Sequence, residues 1–360
     1  MTDSPGVSTP TQNASSSRPH RAARLEDRFN ALVARKLAER GWVPRVEPYT
    51  GYGADGWVRV MARTLLAPPD SEPREVAERD AASAQRAVRG WRSFVTAQVP
   101  ATEVEVQAGS RRHVLRSDRG GYIDQIVESD LEPGWHDVTL TVSGRSITAP
   151  VLVVAPDQRT ALVSDIDDTV MVTALPRPLL AAWNSMVLHE NARRVVPGMA
   201  ALYRRWNEAN PGSPTFYLST GAWNVAPALR RFLARHGYPA GPLLLTDWGP
   251  TNTGWFRSGQ QHKRDTLRRL LQELPQISWV LVGDDGQHDP QIYGDIAAEH
   301  PDRITLVAIR QLTPAEQLLA HGTPAPAEDD DVAARAATPL VVHGGDGNEI
   351  ALRLIDAGVL

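Results

Sequence analysis

The chain has 360 residues, more than one small core needs, with a formal charge of −4 and no cysteine. That length leads us to expect two folded units, the missing cysteines exclude disulfides, thiolate catalysis and cysteine-ligated zinc, and the slight acidity argues against holding nucleic acid through bulk positive charge. No stretch reaches the ~18 consecutive apolar residues of a membrane span and the N-terminus lacks the apolar core of a secretory leader, so a cytoplasmic protein is expected, one that meets membranes only at their surface.

Residues 1–22 are rich in Ser, Thr, Pro and Asn, which reads as a disordered tail because such a segment cannot bury enough surface to offset its ordering entropy. From Ala23 to Arg40, Leu25, Phe29, Leu32, Val33 and Leu37 recur at helical spacing, predicting a helix docked on a domain. Between Tyr52 and Val154 the pattern changes to short alternating or β-branched runs such as TEVEVQA, HDVTLTVS and SITAPVLVV, broken by Gly109-Ser110, Gly120-Gly121 and Pro133-Gly134. This predicts a small antiparallel β-sandwich interrupted by a helix around Arg74 to Phe94, so residues 23–155 form the first unit.

Next come the apolar strands TALVSDI, TFYLST, PLLLTD, WVLVGD and RITLVAI, alternating with helical segments. Strands separated by helices imply right-handed crossovers and a doubly wound parallel sheet over residues 156–321, with chemistry at the carboxyl ends of its strands. Residues 322–360 read as an acidic, Pro- and Ala-rich linker, then a short strand from Leu340 to Val342 and a final helix. That end either docks on the core or reaches another subunit, and the oligomeric state is left open.

Four elements carry chemistry. Asp165-Ile166-Asp167-Asp168-Thr169 follows the apolar run Ala161-Leu162-Val163. Two carboxylates two residues apart at a strand end suit phosphoryl transfer, one attacking phosphorus and the other protonating the leaving oxygen; a solvated acidic turn is the plainer alternative. Ser219-Thr220-Gly221 ends a second strand and offers hydroxyls and N–H groups to a phosphate oxygen. Lys263, one of only two lysines with Lys36, opens a helix and supplies a compact ammonium able to neutralise both a carboxylate and a phosphate. In Gly283-Asp284-Asp285-Gly286-Gln287-His288-Asp289, Asp284 ends a strand where it can face Asp165 across the sheet, making an oxygen-rich site suited to magnesium. Aspartate-based chemistry requires no histidine, so His189, His262 and His288 read as hydrogen-bonding or surface residues.

These elements, in this order, resemble the motif set of the haloacid dehalogenase superfamily. SDIDDTV, FYLSTGAWN, LLLTDWG, WFRSGQQHK and LVGDDGQHDPQIYGDIA further resemble the catalytic domain of the actin-patch-associated phosphatidate phosphatase family over about Leu162 to Arg310. The resemblance implies a Rossmann-like fold, Mg2+ dependence and release of phosphate from phosphatidic acid to give diacylglycerol. It makes Asp165 the nucleophile and Asp167 the acid/base, whose main-chain carbonyl also meets the metal. Asp284 and Asp289 complete the metal site, while Ser219, Thr220 and Lys263 hold phosphate. Asp285 stands where fungal members carry serine, and Thr220-Gly221-Ala222-Trp223 where they carry Ser-Pro-Trp.

Trp255, Phe256 and Arg257, in the loop Trp248 to Arg257, either seat an acyl chain and an anionic head group or pack under the loop. Residues 170–196 read as an insertion too short for a full cap, leaving a site open to bulky substrates. Two alternatives stand beside a lipid phosphatase: a phosphatase for a soluble or protein phosphomonoester, and a non-catalytic binding module on the same fold.

Overall fold

The computed structural model describes residues 34–68, 99–172, 194–246, 259–286, 288–321 and 339–360. The tail over 1–22, the helix expected around Arg74 to Phe94, most of the insertion after Val170 with His189, the Trp248–Arg257 loop and most of the acidic linker lie outside the described residues. Of the helix expected over 23–40, residues 34–39 are described and are helical.

The first unit consists of β1 (Val43–Pro48), β2 (Gly51–Ala54), β3 (Trp57–Ala67), β4 (Glu103–Ala108), β5 (Arg111–Arg116), β6 (Tyr122–Glu128), β7 (Gly134–Val142) and β8 (Arg145–Val153). Hydrogen bonds join all eight into one sheet in the order β1-β3-β2-β8-β7-β4-β5, with β6 on β3. The hydrogen bonding therefore does not divide these strands into the two sheets expected of a sandwich, and β2 and β8 pair in parallel within an otherwise antiparallel sheet. Alternation fixes which face a residue occupies but not its partner strand. In β4, Glu103, Glu105 and Gln107 are exposed while Val104, Val106 and Ala108 are buried.

β3 is buried almost throughout because it belongs to two cores. Val58, Val60 and Ala62 enter the core of the first unit, while Met61, with Tyr49 and Tyr52, enters the core of the second. Tyr52 packs edge-on against Phe216 at 5.4 Å between ring centroids, and Tyr49 stacks on Trp223 at 4.4 Å. Such pairs contribute about 0.5–1.5 kcal/mol each beyond their buried area.

The second unit is a six-stranded parallel sheet of β9 (Thr160–Asp165), β10 (Thr215–Ala222), β11 (Leu243–Thr246), β12 (Ser278–Asp284), β13 (Ile304–Arg310) and β14 (Leu340–Gly344). Their order is β11-β10-β9-β12-β13-β14. Helices α1 (Met199–Ala209), α2 (Ala226–Arg235), α3 (Gly259–Glu273), α4 (Asp289–Glu299) and α5 (Pro314–His321) connect successive strands, and α6 (Gly347–Asp356) follows the last. Strands β9, β10, β12 and β13 are nearly continuous apolar runs because they lie inside the sheet with both faces covered. In α1, Met199, Leu202, Tyr203 and Trp206 form the buried stripe at helical spacing.

β14 pairs with β13, so the C-terminal strand docks on the core of its own chain. α6 is capped at its start. The Asp346 carboxylate accepts from Asn348 N at 2.8 Å and Glu349 N at 3.0 Å, and Glu349 accepts from Gly345 N at 2.8 Å, a reciprocal arrangement typically contributing about 1 kcal/mol. Strand order reverses at β9, whose neighbours β10 and β12 lead to opposite edges of the sheet. A crevice opens at the carboxyl ends of strands at such a reversal.

Candidate active site

Asp165 ends β9 and Asp284 ends the adjacent β12. One carboxylate oxygen from each of Asp165, Asp284 and Asp289 lies within 4.8 Å of the other two, and all three residues are buried. Lys263 projects from the buried face of α3 into this group and is 3% exposed. Its Nζ lies 2.7 Å from Asp165 Oδ1 and 2.5 Å from Asp289 Oδ1.

Asp167 is turned another way. Its Oδ2 accepts a hydrogen bond of 2.9 Å from Ser219 Oγ, which in turn accepts from Gly221 N at 2.9 Å. The Ser219 proton thus serves Asp167, and the hydroxyl must turn before it can donate to a phosphate. Thr220 packs its methyl against the start of α3, where a Cβ on Gly259 would fall 2.7 Å from Thr220 Cγ2. Without a side chain at Gly259, α3 can approach β10 closely.

Around Asp284, Gly286 N donates to Oδ1 at 2.8 Å and Thr169 Oγ1 to Oδ2 at 3.4 Å. A Cβ on Gly283 would lie 2.6 Å from Asp289 Oδ2 and 2.8 Å from the Tyr293 ring, so glycine here is what lets α4 bring Asp289 to the site. His262 is buried beside Lys263, its ring nitrogen 3.5 Å from the Leu244 carbonyl.

Burial pushes the Asp165 carboxyl well above the usual carboxylate range; Lys263 opposes the rise, and Asp289 and Asp167 add to it. Burial also raises Asp284, reinforced by Asp289 and Asp165. Burial alone would lower Lys263, but Asp165, Asp289 and Asp284 overcome it and raise its pKa. Three carboxylates share one ammonium, which leaves two uncompensated negative charges if all ionise. Asp165 Oδ2 and Asp289 Oδ2 are buried with no hydrogen-bond partner among the described residues. An all-oxygen donor set with orphaned lone pairs and excess negative charge fits a hard divalent cation such as magnesium.

Three residues around this site were given no role of their own from the sequence. Thr169 bonds Asp284, Tyr203 meets Ser164 Oγ at 2.6 Å immediately before Asp165, and Arg310 donates to the Asp168 carbonyl at 2.6 Å. Arg310 carried a legible signal: a charged residue closing an apolar strand at the same sheet end as Asp165 and Asp284.

Comparison with known proteins bears on this site. Residues 160–311 match the family described as phosphatidate phosphatase APP1, catalytic domain. Phosphatidate phosphatase APP1 of Saccharomyces cerevisiae is 25% identical over 233 residues, 60% of this chain and 39% of the yeast protein. An uncharacterized protein of Schizosaccharomyces pombe is 26% identical over 153 residues, 42% of this chain and 25% of that protein. The chain thus spans well under half the length of these curated relatives. Among solved structures, a HAD family hydrolase from Deinococcus radiodurans R1 with bound phosphate and sodium is 15% identical with a TM-score of 0.32, covering 56% of this chain and 98% of that one. A carbohydrate acetylesterase from Xanthomonas citri is 10% identical with a TM-score of 0.31, covering 88% and 74%. Residues 160–311, which hold every residue of the site just described, resemble the catalytic domain of phosphatidate phosphatase APP1.

Proposed function

We propose that this protein is a magnesium-dependent phosphoric monoester hydrolase that works through an aspartyl phosphate and removes phosphate from phosphatidic acid or a related lipid phosphate at a membrane surface. The observation that carries the chemistry is the buried convergence of Asp165, Lys263, Asp284 and Asp289, with Asp167 held beside it by Ser219. The lipid substrate rests on the likeness to the yeast phosphatidate phosphatase. Among the described residues no helix is long and apolar enough to cross a membrane.

In this reading Asp165 attacks phosphorus, forming an acyl–phosphate bond as the bond to the leaving oxygen breaks, and Asp167 delivers a proton to that oxygen. Asp167 then takes a proton from water, which attacks the same phosphorus, releasing inorganic phosphate and restoring the Asp165 carboxylate. Lys263 keeps the Asp165 carboxylate oriented, and its charge would also offset that of a phosphate bound beside it. Ser219 fixes the Asp167 side chain through its hydroxyl. Asp165, Asp284 and Asp289, with the main-chain carbonyl of Asp167, would hold magnesium, which supplies charge neutralisation between nucleophile and phosphate. Release of phosphate from phosphatidic acid in mixed micelles, with and without magnesium, tests the proposal in wild type and Asp165→Asn. Magnesium-dependent release abolished by the substitution supports it. Cleavage of an aryl phosphate without action on the lipid would discard the substrate, and no turnover of either would discard the enzyme.

A further inference from the structure

Arg310, the last residue of β13, is 4% exposed, and its guanidinium is committed to three partners. Nη1 donates to the Asp168 carbonyl at 2.6 Å, Nε to the Gly345 carbonyl at 3.2 Å and Nη2 to Glu316 Oε1 at 2.7 Å. Its main chain is engaged as well, because the Arg310 carbonyl accepts from Asp285 N at 3.0 Å. One residue therefore holds the loop after β9 through its side chain and the loop after β12 through its backbone.

Asp168 is a non-glycine residue in the left-handed region, with φ of 56°. That conformation is disfavoured for an L residue and persists only where its surroundings hold it. The peptide that follows places Thr169 Oγ1 on Asp284. The grip on the Asp168 carbonyl thus bears on Asp167 on one side and on the Thr169–Asp284 contact on the other.

The same bonds close a ring that includes the C-terminus. Gly347 N donates to the Pro197 carbonyl at 2.9 Å, Val196 N to the Val170 carbonyl at 3.2 Å, and Val172 N to the Arg194 carbonyl at 2.9 Å. The circuit runs from Asp168 through Arg310 to Gly345, through Gly347 to Pro197, and back through Val196 to Val170. β14 and α6 thereby become part of the support for the loop that carries Asp167.

We propose that Arg310 is a positioning residue that locks the Asp167 loop to the Asp284 loop, and that the C-terminal strand and helix complete the lock through Gly345 and Gly347. The kinetic part of the test rests on the phosphatase reading; the structural part does not.

The test compares full-length wild type with Arg310→Met and Arg310→Lys. Hydrogen–deuterium exchange is read at the hydrogen-bonded amides of Asp168, Val170 and Met171, with β4 as internal control, alongside kcat and KM for an aryl phosphate. In Arg310→Met the three amides are expected to exchange at least about tenfold faster while β4 is unchanged, and kcat to fall at least about tenfold with KM within about twofold. If Arg310→Met does not fold, Arg310→Lys carries the test. Lysine keeps the charge but cannot span Asp168 and Gly345 together, so the same selective loosening is expected. A folded variant with wild-type exchange at these amides and wild-type kcat overturns the proposal. If wild type turns over no phosphate ester, the phosphatase reading fails, and the exchange alone decides the role of Arg310.

Discussion

Lys263 Nζ stands between two carboxylates on different elements, 2.7 Å from Asp165 at the end of β9 and 2.5 Å from Asp289 at the start of α4. One buried ammonium therefore ties β9 to the helix that completes the acidic cluster. Lys263→Met removes that charge and leaves buried carboxylates facing each other, a loss of about 3–5 kcal/mol in stability, with phosphatase activity reduced at least about a hundredfold. Lys263→Arg is not expected to rescue activity, since a planar guanidinium cannot occupy the point between the two oxygens. Chemical denaturation and aryl phosphate turnover of the two variants check this.

The raised carboxyls of Asp165 and Asp284 set a pH dependence. A carboxyl whose folded pKa lies above its unfolded value of 3.8 binds more protons in the folded state, so its contribution to stability falls as pH rises from about 4 upward. A divalent cation held among these carboxylates, as proposed, would offset the charge that accumulates. Thermal unfolding should therefore show magnesium raising Tm by several degrees at about pH 8 and by little at about pH 5. An equal shift at both pH values would contradict this proposed origin of metal binding.

Ser219→Ala removes the hydroxyl that holds Asp167. We expect kcat to drop by about tenfold or more, the loss concentrated in the step to which the proposed mechanism assigns the Asp167 proton. Substrates with good leaving groups, which need less protonation, should be less affected. A comparison of an aryl phosphate with an alkyl phosphate measures this directly.

The two units are joined by a charged cluster as well as by aromatic rings. Arg59 on β3 bonds Glu273 on α3 and meets Asp124 at 2.6 Å, Arg269 meets Asp124 at 2.7 Å, and Tyr52 OH donates to Glu273 at 2.7 Å. Burial pushes the Asp124 carboxyl up, but Arg269 and Arg59 overcome it and hold Asp124 below its usual value. A depressed carboxyl contributes stability above its unfolded pKa, near 3.8, and loses it as pH falls through the lower folded value. Arg59→Met should cost about 3 kcal/mol at neutral pH and move the midpoint of acid unfolding to higher pH. α3 also carries Lys263, so loosening at this seam should lower activity before the protein unfolds.

Much of the site was legible in the sequence for a single physical reason. In a parallel sheet covered on both faces, the strands read as apolar runs, and a polar residue closing such a run marks the sheet's working end. Asp165, Ser219 and Asp284 each close one, and the strand order sets them on three adjacent strands. The grip of Arg310 on the Asp168 carbonyl joins residues 142 positions apart, which spacing cannot reveal. The pairing of β14 with β13 was equally hidden, because a five-residue strand after a long connection shows its faces and not its neighbour. The parallel pairing of β2 with β8, and the union of the first eight strands in one sheet, escaped for the same reason.

The central claim is that Asp165 carries phosphate during turnover. Acid quenching of the enzyme during steady-state hydrolysis, followed by mass analysis of its peptides, measures this directly. We expect a hydroxylamine-labile phosphoryl group on the peptide containing Asp165, present in wild type and missing in Asp165→Asn. With an aryl phosphate, whose leaving group needs little protonation, it should be more abundant in Asp167→Asn because hydrolysis of the intermediate still needs the base. Turnover that proceeds with no phosphoryl group on that peptide, or with the group on another residue, would contradict the account.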